Sequence, residues 1–289
     1  MTETAKKLGQ IVFVPRKNGM IVQTPSFLVG EAGRIIYEAY QEAKAERFNG
    51  NKHFQLERKG DEVVGANVPD ANLIDQVVRR YGVRVSLPKD WNEEFMRMTD
   101  GKHYTTANAL VFRSLQDGYN EDNNRIAELI AESGKIDTVK ISREPALITG
   151  FDIRPNEDEG YGFIAVPSKG FNVHYDERFL GKYSGWKFDE IDEIGMPVGL
   201  DKERGKRIWY TRKDGISRFV LNSYRNLSSY YDGLSGSVAY GRVVLVSAEG
   251  GAPNYENILE QQRRSELLES LRGTRNCLNQ IVSQLEGKK

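Results

Sequence analysis

The stretch from Lys206 to Ser247 most limits what this chain can fold into. Strand-forming, aromatic and basic residues are denser there than elsewhere in the 289 residues. Ile208 to Tyr210 is β-prone and runs into Lys213-Asp214-Gly215, and Asp-Gly is the strongest short-range hairpin signal. Phe219 and Leu221 then alternate with Arg218, Val220 and Asn222, the pattern of a strand with unlike faces. Arg242 to Val246 is apolar on both parities, which predicts a strand covered on both sides. Between them, NLSSYYDGLSGS is rich in Gly and Ser and predicts a loop carrying Tyr230 and Tyr231.

Upstream, helical and strand signals alternate. Gln10 to Val14 and Met20 to Gln23 are β-prone runs joined at Asn18-Gly19, and Glu31 to Phe48 spaces Ile35, Ile36, Ala39, Tyr40 and Ala43 as a helix does. Glu62 to Ala66, a helix beginning at Pro69 and lined by Leu73, Ile74, Val77 and Val78, and Val83 to Leu87 have the order of a β-α-β unit. Such a unit normally returns to a parallel strand. A helix over Lys89 to Met98, a strand over Ala109 to Arg113 and a helix over Glu121 to Glu132 continue the alternation. From Thr138 the texture changes, and TVKIS, ALITGFDI, YGFIAVP and FNVHY predict short strands. Beyond Gly250, Leu267, Leu271, Thr274, Leu278, Ile281 and Leu285 fall on alternating four- and three-residue steps.

The expected class is therefore α+β. An α/β domain with a mixed sheet spans residues 1–140, a β-rich domain 141–250, and a long amphipathic C-terminal helix 251–289. The apolar seam of that helix offers a route to a homodimer. The lone Cys277 precludes an intramolecular disulfide and fits a reducing compartment. Neither a signal peptide nor an apolar run of about 20 residues is present, which places the expected protein in the cytoplasm, away from membranes.

Motif chemistry narrows the functions. His53, His103 and His174 lack helical metal-site spacing, neither nucleotide fingerprint occurs, and Leu234-Ser235-Gly236-Ser237 lacks G-x-S-x-G spacing. No metal and no cofactor is expected. Asp70 is placed to cap the helix that begins beside it, and the acidic runs Asn156 to Gly160 and Asp189 to Glu193 read as solvated turns or edges.

One feature supports a functional expectation. The organising stretch carries a surplus of five positive charges interleaved with rings, and its candidate binding residues are Arg207, Trp209, Tyr210, Arg212, Arg218, Tyr224, Arg225, Tyr230 and Tyr231. Arginines and stackable rings on a β surface suit single-stranded nucleic acid. Against that, the formal net charge is zero, and residues 152–195 hold ten acidic against five basic groups, enough to consume the surplus by cross-strand pairing. The leading expectation is a soluble binding or scaffolding protein that presents this basic-aromatic surface to a protein or nucleic-acid partner. An enzyme acting on a small polar substrate, using Asp152, Asp189 or Asp192 in an interdomain cleft, stands second. A single-strand binder stands third.

Overall fold

The computed structural model describes residues 26–247, apart from 80–81, 92–94, 96–102, 159, 223, 238 and 240. In chain order it contains β1 (Ser26–Phe27), α1 (Gly30–Arg47), β2 (Glu57–Lys59), β3 (Glu62–Val64), α2 (Val68–Val78) and β4 (Val83–Val85). These are followed by β5 (Tyr104–Phe112), α3 (Asp122–Gly134), α4 (Thr138–Ile141), β6 (Ala146–Pro155) and β7 (Phe163–Tyr175). The short strands β8 (Lys187–Phe188), β9 (Glu190–Ile191) and β10 (Pro197–Val198), of which β9 and β10 pair with each other, precede β11 (Arg207–Tyr210), β12 (Ile216–Leu221), β13 (Leu227–Ser228), β14 (Gly241–Arg242) and β15 (Val244–Ser247). Helices and multistranded, chiefly antiparallel sheets are both present, as an α+β chain requires.

The main sheet has the order β7-β6-β5-β12-β13-β11-β8, with β14 alongside β5. Alternation builds a core on each of its faces. Leu110 and Phe112 of β5 join Ile148, Ile36, Leu73 and Ile130 under the helices. Ala107, Ala109 and Val111 of the same strand join Trp91, Phe179, Trp209 and Phe219 on the other side. All nine residues of β5 are buried. This strand precedes residue 140, yet it lies mid-sheet between β6 and β12, so one sheet runs across the boundary expected there.

Several local expectations are corrected. β3 and β4 do not share a sheet: β3 turns back through Gly60-Asp61 onto β2, while β4 pairs antiparallel with β15. The apolar β15 is the centre of the sheet β1-β15-β4, as a strand covered on both sides should be. The Asp214-Gly215 turn reverses the chain, but β11 and β12 are not partners, because β13 inserts between them, parallel to β11 and antiparallel to β12. TVKIS forms α4 instead of a strand, since the Asp137 carboxylate accepts the N–H groups of Val139 and Lys140 and caps a helical turn. YGFIAVP and FNVHY join into the single strand β7.

Helix α2 is fixed by a capping box, in which Asn67 accepts the Asp70 N–H and the Asp70 carboxylate reaches back to the Asn67 N–H. Tyr40 of α1 donates to the same carboxylate at 2.5 Å, tying the two helices together. Among the described residues no helix is long and apolar enough to cross a membrane. The N-terminal hairpin, the C-terminal helix with its dimer seam, Cys277 and much of the Lys89 to Met98 helix lie outside the described residues.

Candidate functional site

At one end of the main sheet, a groove of about 740 Å³ opens between the 114–121 loop, the turn Gly181–Tyr183, the Thr211–Lys213 corner after β11, and the loop carrying Tyr230 and Asp232. Tyr119 and Tyr230 line it and stay 81% and 57% exposed. Lys182 and Lys213 stand at its rim. Arg212 lines it from below but is only 6% exposed.

The floor explains why an arginine is tolerated there. Arg212 Nη2 lies 2.7 Å from Asp117 Oδ1 and 3.5 Å from Asp214 Oδ1, and Nη1 lies 3.6 Å from Asp232 Oδ1. A buried charge needs compensation, by carboxylates as here or by a full set of hydrogen bonds. The Tyr119 ring lies 5.0 Å from the guanidinium. Asp117 does a second job: Oδ1 accepts the N–H groups of Tyr119 and Asn120, and Oδ2 accepts the Asn123 side-chain amide. The carboxylate that neutralises Arg212 thus also fixes the loop that presents Tyr119. Gly215 sits at a φ of 67°, and a Cβ there would collide with the Asp117 carboxylate.

Beneath Arg212 lies Arg113, at the end of β5. It donates to the Phe179 carbonyl, the Ser217 and Ser229 hydroxyls, the Thr211 hydroxyl and the Ser229 carbonyl at 2.6 to 3.0 Å. Burial, reinforced by the neighbouring Arg212 charge, pulls its pKa down to about 9, so the guanidinium remains charged at neutral pH. No carboxylate touches it among the described residues. Five neutral oxygens hold it instead, and they lock β5, β12 and the segments 211 and 229 under the groove.

Next to the groove, Arg218 lies between the rings of Tyr104 and Tyr231, at 5.5 and 5.1 Å. It is 6% exposed and donates to the Gly236 carbonyl. Tyr231, 40% exposed, meets Tyr230 edge-on at 6.2 Å. Rings and guanidinium groups therefore do share this face, but the rings carry the exposure.

The remaining candidates scatter. Trp209 is fully buried, with its indole N–H on the Arg178 carbonyl, and belongs to the core. Tyr210 is half-buried. Arg207 lies over the Phe188 ring and donates to the Asp189 carbonyl at the start of β11. Tyr224, 80% exposed, and Arg225, in a left-handed conformation at φ 61°, occupy the tight turn after β12. That turn is separated from the groove by the six residues of β12. The continuous surface expected from nine residues is thus replaced by a smaller site built on Arg212, Tyr230 and Tyr119.

The charge balance also differs from expectation. Arg212 is matched by Asp117, Asp214 and Asp232, and Arg242 by Glu62 at 2.7 Å, and none of these carboxylates comes from residues 152–195. The acidic segment pairs elsewhere, Asp152 with Arg79, and Asp176 and Asp192 with Arg178. Asp189 accepts the Lys206 N–H, so the three carboxylates named for catalysis are each spent in a local bond. Ser235 Oγ does lie 2.8 Å from His53 Nδ1, but the other ring nitrogen has no hydrogen-bond partner among the described residues to orient it for base chemistry. Asn67 donates to the backbone carbonyls of both residues, which makes the pair a loop lock. Among the described residues no cluster of three His, Cys, Asp or Glu side chains could hold a metal ion.

Tyr119 and Asp117 were not singled out in the sequence. The available signal was an aromatic residue in Gln116-Asp117-Gly118-Tyr119-Asn120, where turn chemistry calls for small polar residues. No protein-family model, curated protein or solved structure matches the chain.

Proposed function

We propose that this is a binding protein that takes a segment of a polypeptide partner into the groove between Tyr119 and Tyr230. The observation that carries this is the pairing of two highly exposed tyrosines with an arginine whose charge is already met by three aspartates. Tyrosine offers a large, stiff contact area with a polar tip, the chemistry of anchor positions in protein interfaces. Single-strand binding asks instead for cations left over to follow phosphates, and Arg212, the arginine that lines the groove, is spent internally. Lys213 at the rim, which has no ion pair among the described residues, favours a segment with an acidic residue flanking its apolar anchors.

Selection from a random peptide display library on the full chain tests this. Enriched peptides are expected to bind the wild type and to lose at least about ten-fold in affinity, roughly 1.4 kcal/mol, against Tyr119→Ala/Tyr230→Ala. The variant should melt at the wild-type temperature, because both rings are exposed. Failure to enrich any peptide, or peptides indifferent to the double variant, contradicts the proposal. Salt-sensitive binding of a labelled oligonucleotide that the same variant abolishes would transfer the groove to nucleic acid.

A further inference from the structure

A second cavity, of about 660 Å³, lies on another part of the molecule, between the end of α2 with β4 on one side and the β6–β7 pair on the other. Its charged lining is lopsided: Arg79, Arg84, Lys89 and Lys169 face it, with His174, against the single carboxylate of Asp75. That carboxylate is committed. Oδ1 accepts the Val85 N–H at 2.8 Å, and Oδ2 accepts Arg79 Nε and Nη2 at 3.0 and 2.8 Å. Arg84 is held by both oxygens of Asp90, at 2.6 and 2.8 Å. Arg84 and Asp90 balance each other, Arg79 is shared between Asp75 and Asp152 at 2.8 and 2.7 Å, and Lys169 has no ion-pair partner among the described residues.

The wall contributes a donor whose orientation is fixed. Asn72 Oδ1 accepts the backbone N–H of Ile153 at 2.9 Å, so its Nδ2 must be the atom that donates to the Phe151 carbonyl and to Asn108 Oδ1. Asn108 lines the cavity and is 3% exposed. With Oδ1 taken, what it has left to offer is its amide N–H₂, which has no acceptor among the described residues. That amide is left for whatever occupies the cavity, water included.

Backbone geometry places the lysine. The β6–β7 register shifts between Thr149 and Phe151, and Gly150 at φ 69° packs so closely on Gly170 that a Cβ would collide with its carbonyl. This bulge puts Lys169 and Asn172 on the cavity beside Thr149.

We propose that the cavity is an anion site for a phosphoryl group, with Asn108 Nδ2 donating from its wall and Lys169 from its rim, independently of the tyrosine groove. A phosphate carries several acceptor oxygens and enough charge to use a fixed amide and a mobile ammonium together. Titration calorimetry of the full chain at constant ionic strength, with inorganic phosphate in one series and phenyl phosphate in another, distinguishes the free ion from a phosphoryl group on a larger molecule. Saturable binding of at least one is expected, and the tighter probe identifies the source. Asn108→Asp keeps the acceptor for Asn72 but replaces the donor by a carboxylate, and should weaken binding at least ten-fold. Lys169→Ala, an exposed position on β7 with no role in packing, should weaken it several-fold without moving the melting temperature. Absence of saturable binding of either probe, or binding unchanged by Lys169→Ala, overturns the proposal.

Discussion

Asp70 shows how one carboxyl can serve as cap, clamp and pH-sensitive element together. It is fully buried, and burial pushes its pKa up to about 7, although Tyr40 and the backbone N–H groups of Gln55 and Asn67 pull the other way. A folded-state pKa above the ordinary 3.8 means that the folded protein binds the proton more tightly than the unfolded chain. The resulting stability is fully present below about pH 4 and is lost as the pH rises through about 7, at up to about 1.4 kcal/mol per pH unit. Asp70→Asn should flatten the stability profile between pH 4 and 7 in urea unfolding, while losing part of the cap. A profile as steep as the wild type would assign the slope to other groups. Arg113 is the opposite case, a buried cation whose pKa is pulled down by burial and by Arg212, and held up by the nearby Asp214 and Asp117 charges.

Elements were legible in the sequence where apolar periodicity decides them. Ile36 and Tyr40 mark α1, Leu73 and Ile74 mark α2, and the doubly apolar Val244 and Leu245 mark a strand with both faces covered. They were illegible where one side chain overrides propensity, as Asp137 does in turning the β-branched Thr138, Val139 and Ile141 into a helical turn. Pairing was harder still, because it depends on distant partners: nothing local announces that β13 slides between β11 and β12. The β6–β7 bulge is the element with the clearest test. Gly150→Ala forces a Cβ against the Gly170 carbonyl at a left-handed position, and a cost of about 1–3 kcal/mol is expected as a lowered melting temperature. An unchanged melting temperature would show that the bulge relaxes freely.

Across the whole molecule, the nine candidate binding residues illustrate what sequence can and cannot place. Of the nine, Arg207, Trp209, Tyr210 and Arg218 fall within strands, and burial divides the set: Trp209 enters a core, Arg212 and Arg218 become buried supports, and Tyr230 stays outside. Composition gave the charge surplus of the stretch but not its partners, since Asp117 comes from a loop 95 residues earlier in the chain than Arg212. The site emerges only when β5 and β12 lie side by side and bring the 114–121 loop to the Thr211–Lys213 corner. The arginines of this segment, on this view, hold the site together, and its tyrosines do the contacting. Equilibrium urea unfolding of Arg212→Ala tests that division directly. Removing the arginine leaves the Asp117 carboxylate buried without its ion pair, for which a loss of about 3–5 kcal/mol is expected. A loss below about 1 kcal/mol would make Arg212 an ordinary surface charge and contradict a structural role.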